Sequence, residues 1–174
     1  CSSDAIPKDE DELDACIKRI RNAGGALPTV VGAGWAHFLW RLRAKGPRLF
    51  FHDFKGIVPD SGSCGETVWR SGTTIAAVAK HLLKTGHTFS SHPTMDYISI
   101  GGWFAMANHG NAGSYGPSTN EDFLEWATVL DMRDGTTRKY DYPKLRSLFD
   151  AFAPCKGGMA SPYCIVHVCF TKIC

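Results

Sequence analysis

The sequence predicts an α+β fold with two lobes, on three observations. Three stretches carry apolar residues at helical spacing, several short apolar or alternating runs are typical of strands, and Asp134-Gly135 predicts a hairpin. The order of these elements indicates a small, mainly parallel sheet within about residues 1–60. It indicates a larger, mainly antiparallel sheet within about residues 61–174, with helices flanking the sheets.

The three predicted helices have apolar stripes at a spacing of three and four residues. The stripes comprise Leu13, Cys16, Ile17 and Ile20 in the first helix, Ile75, Val78, Ala79, Leu82 and Leu83 in the second, and Leu145, Leu148, Phe149 and Phe152 in the third. Gly24-Gly25 ends the first helix and Gly86 ends the second, since glycine adopts the conformation that terminates helices. Thr73 or Thr74 is the expected cap of the second helix, and Asp141 that of the third.

Six strands are predicted in the remaining sequence. They are residues 29–31, 48–52, 67–70, 126–133, 136–140 and 164–171. The hairpin joins the fourth and fifth strands, because Asp-Gly supplies the positive φ angles that a tight turn needs. The last strand is apolar at most positions, so we expect it to be half or fully buried.

Composition and charge exclude several classes of protein. Hydrophobic residues make up 44% of the chain and charged residues 21%, which is ordinary for a folded globular domain. The formal net charge of +2 is too small to indicate a nucleic-acid or membrane-surface partner. No apolar run reaches the roughly 20 residues of a membrane span. The acidic stretch 9–12 is the reverse of the basic start of a signal sequence.

The cysteines and histidines predict neither a metal site nor a disulfide framework. The seven cysteines are Cys1, Cys16, Cys64, Cys155, Cys164, Cys169 and Cys174. Their odd number and the lack of a C-x-x-C pair argue against both kinds of site. The spacing of His81, His87 and His92 is not that of metal ligands. Together with the lack of an Asn-x-Ser/Thr sequon, the cysteines favour a reducing, intracellular setting.

The first glycine-rich segment directly follows the strand 29–31 and is a candidate anion-binding loop. Its main-chain N–H groups would cradle a pyrophosphate, because small residues let the backbone approach such a group closely. The residues concerned are Gly32, Ala33, Gly34, Trp35, Ala36 and His37. A nicotinamide-binding Rossmann motif is the alternative, since Asp53 lies about twenty residues further on. His37 stands where that motif needs its third glycine, and we therefore discount it.

The second glycine-rich segment spans residues 97–116 and contains five glycines and two asparagines. This composition suits backbone that is packed against a flat, charged ligand. Ser99 offers a hydroxyl, and Gly101-Gly102 offers a second set of amides at a helix start. The alternative interpretation is a buried helix start followed by an irregular loop that binds nothing.

Six motifs follow one another along nearly the whole chain. They are the loop 32–37, the run Leu49-Phe50-Phe51-His52-Asp53, the strand and turn Val68-Trp69-Arg70-Ser71-Gly72-Thr73-Thr74, the segment 98–102 with His109-Gly110, Asp134-Gly135 with Leu148-Phe149, and the closing run Tyr163-Cys164-Ile165-Val166. Their order over about residues 9–173 resembles the PCMH-type FAD-binding domain. That domain is shared by vanillyl-alcohol oxidase, p-cresol methylhydroxylase and the aldonolactone and alditol oxidases, and the last two are nearest in pattern.

The resemblance implies that FAD is the cofactor, and it adds residues to the predicted site. It places Asn108, His109 and Gly110 beside the pyrophosphate or the ribityl chain, and it places the main chain of Ile165 against the adenine or the flavin. The family's substrate pocket and general base come largely from a second, cap domain. We expect this chain to contain no cap domain, so we assign no catalytic residue.

Two positions depart from the family pattern. Many members bond the flavin through a histidine of the first loop, whereas Trp35 stands at that position here. Tryptophan does not form that bond, so the FAD is expected to be non-covalent; His37, two residues on, is the alternative point of attachment. Cys164 replaces the glycine of the closing motif, and its side chain would crowd a cofactor that approaches there.

Two functions remain open at the level of the sequence. The first is the FAD-binding domain of a flavin-dependent oxidoreductase that oxidises an alcohol or a sugar-lactone-type substrate by hydride transfer to the flavin. Its small-molecule substrate would need a cap domain or a partner chain. The alternative is a degenerate flavin-domain fold that serves as a non-catalytic binding or structural subunit, which the changes at Trp35 and Cys164 would suit.

Overall fold

A computed structural model gives the fold of the chain and describes residues 4–24, 26–34, 46–59, 67–89, 95–105, 124–150 and 162–170. The elements within these ranges are α1 (Glu10–Asn22), β1 (Thr29–Val31), β2 (Arg48–Phe50), β3 (Val68–Arg70), α2 (Ile75–Lys84), α3 (Ile100–Ala105), β4 (Leu124–Asp131), β5 (Thr136–Asp141), α4 (Tyr142–Asp150) and β6 (Tyr163–Phe170). All the predicted strands and helices are present, with ends shifted by a few residues.

The strands form two sheets, as the sequence predicts. β1 and β2 pair in parallel, with Val30 opposite Leu49. The other four form an antiparallel sheet in the order β3-β6-β4-β5, so the last strand lies between strands from earlier in the chain. The α+β fold class, with a small parallel and a larger antiparallel sheet, is therefore confirmed. The lobe boundary near residue 60 stays a prediction.

The β4–β5 hairpin turns where Asp134-Gly135 predicts it. Gly135 has a φ of 77°, and its N–H donates to the carbonyl oxygen of Asp131 at 2.8 Å. The Asp134 carboxylate accepts hydrogen bonds from the main-chain N–H and the hydroxyl of Thr136 at 2.8 and 2.7 Å. These local bonds fix the turn, and with it the register of the hairpin.

The antiparallel sheet is covered on both faces. The first core cluster lies between the sheet and the helices α2, α3 and α4, and comprises Trp69, Ile75, Val78, Leu82, Phe89, Ile100, Trp103, Phe104, Leu124, Ala127, Val129, Leu145, Ile165 and Val168. The second core cluster lies towards α1 and the parallel pair, and comprises Ala5, Leu13, Ile17, Leu49, Phe51, Phe54, Leu130, Met132, Cys164 and Val166. Burial on both faces explains why β6 is nearly continuously apolar.

The buried residues of α1 and α2 are among those that the sequence predicts, with one exception. Phe152 and the side chain of Phe149 lie outside the described part of the chain, and the Asp141 cap stays a prediction. Asp9 caps α1 by accepting a hydrogen bond from the Glu12 N–H at 2.9 Å. Leu13, Ile17 and Ile20 are the buried residues of α1. The prediction that Leu83 belongs to the buried stripe of α2 is wrong, because the Leu83 side chain is 69% exposed. The buried face of α2 thus contains fewer residues than the apolar stripe in its sequence.

Thr74, rather than Thr73, is the N-cap of α2, and its hydroxyl oxygen accepts from the Ala77 N–H at 3.3 Å. We predict that Thr74→Ala lowers the free energy of unfolding by about 1 kcal/mol, because the N–H group loses its acceptor. Thr74→Ser keeps the oxygen and should be nearly neutral. Urea unfolding of both variants checks this expectation, and an equal loss in the two would contradict it.

Candidate cofactor site

The two predicted glycine-rich segments meet at Ser99. Gly32 follows β1, whereas Ser99 lies directly before α3. A Cβ on Gly32 would overlap the Ser99 hydroxyl oxygen and lie 3.2 Å from the Ser99 Cβ. A Cβ on Gly102 would lie 3.1 Å from the same hydroxyl. The two segments therefore pack as closely as they do because residue 32 has no side chain.

Main-chain hydrogen bonds hold Ser99 in this position. The Trp103 N–H donates to the carbonyl oxygen of Ser99 at 2.9 Å, which starts α3. On both sides of Ser99, main-chain bonds tie the segment to the β3–α2 turn: Ile100 N–H donates to Thr73 and Ile75 N–H donates to Ile98, at 2.9 and 3.0 Å. Ser99 is 3% exposed, so packing within the protein fixes the position of its hydroxyl.

The first loop presents a row of unpaired amides. Within the described part of the chain, the N–H groups of Gly32, Ala33 and Gly34 have no hydrogen-bond acceptor. Gly34 has a φ of 78°, a left-handed conformation that favours glycine. Successive free N–H groups at a turn are suited to bind an anion, and the anion site expected here from the sequence stays a prediction.

The two glycines of α3 differ in their hydrogen bonding, because only the Gly101 N–H is paired with another described residue. The Gly101 N–H donates to the Ser71 carbonyl oxygen at 2.9 Å, so this amide is already paired within the protein, and a contact of Gly101 with a cofactor stays a prediction. Gly101 is glycine for another reason, because a Cβ there would lie 2.7 Å from the Ser71 Cβ. The Gly102 N–H and the Ser99 hydroxyl have no partner among the described residues. These two groups remain available to a ligand.

The closing strand β6 supports the site from one side. The Ile165 side chain is 5% exposed and packs in the first core cluster, so any contact of Ile165 with a cofactor stays a prediction about its main chain. The carbonyl oxygen of Val166 accepts from the Ser71 N–H at 2.9 Å. Cys164 packs in the second core cluster, and burial raises the pKa of its thiol. Its side chain therefore fills the core on the α1 face of the sheet.

Six residues of the predicted site lie outside the described ranges. They are Trp35, Ala36, His37, Asn108, His109 and Gly110. Their contacts with a cofactor stay predictions.

An ion network that the sequence does not reveal anchors α1 to β3 and β6. Arg70 donates to both carboxylate oxygens of Glu10, at 2.9 and 2.8 Å. His167 lies 2.9 Å from Glu10 through Nε2 and 2.8 Å from the Thr128 hydroxyl through Nδ1. Because a carboxylate only accepts, we assign the ring proton to Nε2. Hydrogen bonds from Arg70 outweigh desolvation and, with His167, lower the pKa of Glu10 to about 2.

Two further findings concern the described ranges alone. They contain no group of three or more histidine, cysteine or acidic side chains that could hold a metal ion. No helix in them is long and apolar enough to cross a membrane.

Comparison with known proteins decides the family. The sequence model of a family described as "FAD binding domain" matches residues 3–141, which is most of the chain. The chain belongs to this family. The cofactor of this FAD-binding domain is thus the one that the motif order predicts. No match is found among curated proteins.

The fold of this FAD-binding domain is similar to that of a solved mutant of cholesterol oxidase from Brevibacterium sterolicum. The likeness has a TM-score of 0.71 and 14% sequence identity, and it covers 96% of this chain. It supports the two-sheet α+β architecture. The chain spans only 33% of that oxidase's length. The findings do not favour the alternative of a degenerate fold, and they do not single out the aldonolactone and alditol oxidases.

The described residues fit FAD. A dinucleotide needs main-chain donors for its pyrophosphate and a backbone that it can approach closely. Three unpaired amides at residues 32–34, the Gly102 N–H and the Ser99 hydroxyl supply donors. Glycines at 32 and 102 let the backbone of both segments approach Ser99 closely.

Proposed function

We propose that FAD lies across the junction of the two glycine-rich segments, with its pyrophosphate on the amides of Gly32, Ala33 and Gly34. The observation that carries this proposal is the contact between Gly32 and the Ser99 hydroxyl. It brings together two segments that each carry unpaired donors, and no group of the described residues accepts a hydrogen bond from these donors. Trp35, Ala36, His37, Asn108, His109 and Gly110 would complete the site.

We propose further that the FAD is held non-covalently. Trp35 stands where related domains carry the histidine that bonds the flavin, and an indole does not form that bond. The binding energy would then come from the main-chain donors and from burial of the cofactor.

The whole protein is proposed to be a flavin-dependent oxidoreductase that acts on an alcohol or a sugar-lactone-type substrate. When bound, FAD supplies a hydride acceptor. The residues described here bind and orient the cofactor and keep water from its buried side. The substrate pocket and the general base would come from a cap domain or a partner chain.

Purification of the chain tests both proposals. We expect a yellow protein, or a colourless one that quenches flavin fluorescence and rises in melting temperature when FAD is added. Acid precipitation should release the colour into the supernatant. Colour that stays in the pellet would show a covalent bond and would point to His37. A colourless chain with neither quenching nor a change in melting temperature would contradict FAD binding itself.

A further inference from the structure

A second serine hydroxyl lies beside the glycine pair of α3 and has no partner among the described residues. Ser71, at the end of β3, is 2% exposed, and its Oγ is buried without a hydrogen bond. Its main-chain groups are both used: the N–H donates to Val166 and the carbonyl oxygen accepts from Gly101, each at 2.9 Å. The side-chain hydroxyl is the one polar group of this residue that remains unsatisfied.

The two glycines of α3 each face a serine. A Cβ on Gly101 would lie 3.3 Å from the Ser71 hydroxyl oxygen, and a Cβ on Gly102 would lie 3.1 Å from that of Ser99. A serine side chain therefore packs directly against each of the two glycines.

A buried hydroxyl of the neighbouring turn shows the contrast. Thr73 is also 2% exposed, but its Oγ1 accepts from the Gly56 N–H at 2.9 Å and donates to the Arg70 carbonyl oxygen at 2.7 Å. Buried polar groups are nearly always paired in this way, because removal from water without a new partner is costly. Unlike that of Thr73, the Ser71 hydroxyl is paired with no described residue, and a bound ligand would supply the missing partner.

We propose that Ser71 is a cofactor-binding residue whose hydroxyl donates a hydrogen bond to an oxygen of FAD. This inference rests on the site proposed above. It makes the end of β3 a third segment of the site, beside the two glycine-rich segments.

Ser71→Ala separates a cofactor contact from a structural one. The dissociation constant for FAD, from fluorescence quenching, should rise roughly two- to tenfold, which is the effect of one hydrogen bond. The melting temperature of the apoprotein should stay the same or rise, because an unsatisfied group has been removed. Ser71→Cys keeps the size of the side chain with a weaker donor, and should weaken FAD binding without harming the fold.

Thr73→Val is the matched control. It removes a satisfied buried hydroxyl and should lower the melting temperature of the apoprotein. A Ser71→Ala variant that melts earlier and binds FAD as tightly as the wild type would show a partner within the apoprotein, such as a buried water, and would overturn the proposal. An unchanged affinity with unchanged melting would overturn it too. If the wild type itself does not bind FAD, the proposed function fails, and this inference fails with it.

Discussion

Substituting alanine for Gly32 is expected to weaken FAD binding by about tenfold or more and to lower the free energy of unfolding by about 1–3 kcal/mol. The new Cβ would overlap the Ser99 hydroxyl oxygen, so one of the two segments must move. Ser99 is held by main-chain bonds on both sides, and we therefore expect the loop with the free amides to be displaced. FAD titration and urea unfolding of the apoprotein measure the two effects.

A second substitution tests whether the contact with Ser99 is the cause. Ser99→Gly in the Gly32→Ala background removes both side-chain atoms that the new Cβ meets, and should restore most of the lost stability. Ser99→Ala should restore less, since its Cβ would still lie 3.2 Å from the new one. A double-mutant cycle over the two positions then gives a favourable coupling energy. Independent effects at the two positions would contradict the packing described here.

Gly46→Ala is the matched control for adding a methyl group to a glycine. A Cβ there would lie 3.5 Å from the Ala26 Cβ and 3.6 Å from the Leu27 carbonyl oxygen, which is ordinary contact. Stability and FAD affinity should both change little. If Gly46→Ala lowers FAD affinity as much as Gly32→Ala does, the loss does not come from the Gly32–Ser99 contact.

The features that the sequence predicts well are those with a local physical signal. Thr74, one of two adjacent threonines expected to cap α2, does so, and Gly135 marks its turn through its own φ angle. The free main-chain N–H groups of the first glycine-rich segment also have a local signal, because Gly32 and Gly34 directly follow a strand. Each of these signals lies within about one turn of the feature that it specifies.

The features that the sequence does not predict depend on residues that are distant along the chain. Glu10 and His167 are 157 residues apart, and neither position carries a local signal of the other. The sequence suggests that the Gly101 N–H is free for a cofactor, whereas the fold places the Ser71 carbonyl oxygen, just after β3, where it accepts from this N–H. Ser71 lies in a run that the sequence identifies only as a strand and turn, because an unsatisfied hydroxyl becomes evident only when its surroundings are known.

Glu10→Gln is expected to lower the free energy of unfolding at neutral pH by about 1–2 kcal/mol. Arg70, which is 16% exposed, would lose its charged partner, and His167 would lose a carboxylate acceptor. A fully buried pair costs about 3–5 kcal/mol to break. The expected loss is smaller because the Glu10 side chain is 40% exposed and water screens part of the interaction. Urea unfolding at pH 7 measures it.

The dependence on pH is the sharper test of this network. The pKa of Glu10 is about 2 in the folded chain against an ordinary value of 4.5, so its carboxylate stabilises the fold fully above about pH 4.5. That stabilisation is lost as the pH falls from there through 2. The difference between wild type and Glu10→Gln should therefore shrink over this range.

Asp14→Asn is the control for removing an acid from the same helix. Its ion pair with Lys18 is 3.9 Å long between side chains that are 63% and 74% exposed, so its removal should change stability little at any pH. A Glu10→Gln loss that stays constant from pH 7 down to pH 3 would contradict the ionised network. If the loss of unfolding free energy in Glu10→Gln becomes smaller as the pH falls, and that in Asp14→Asn does not, the acid-sensitive link from α1 to β3 and β6 lies at Glu10.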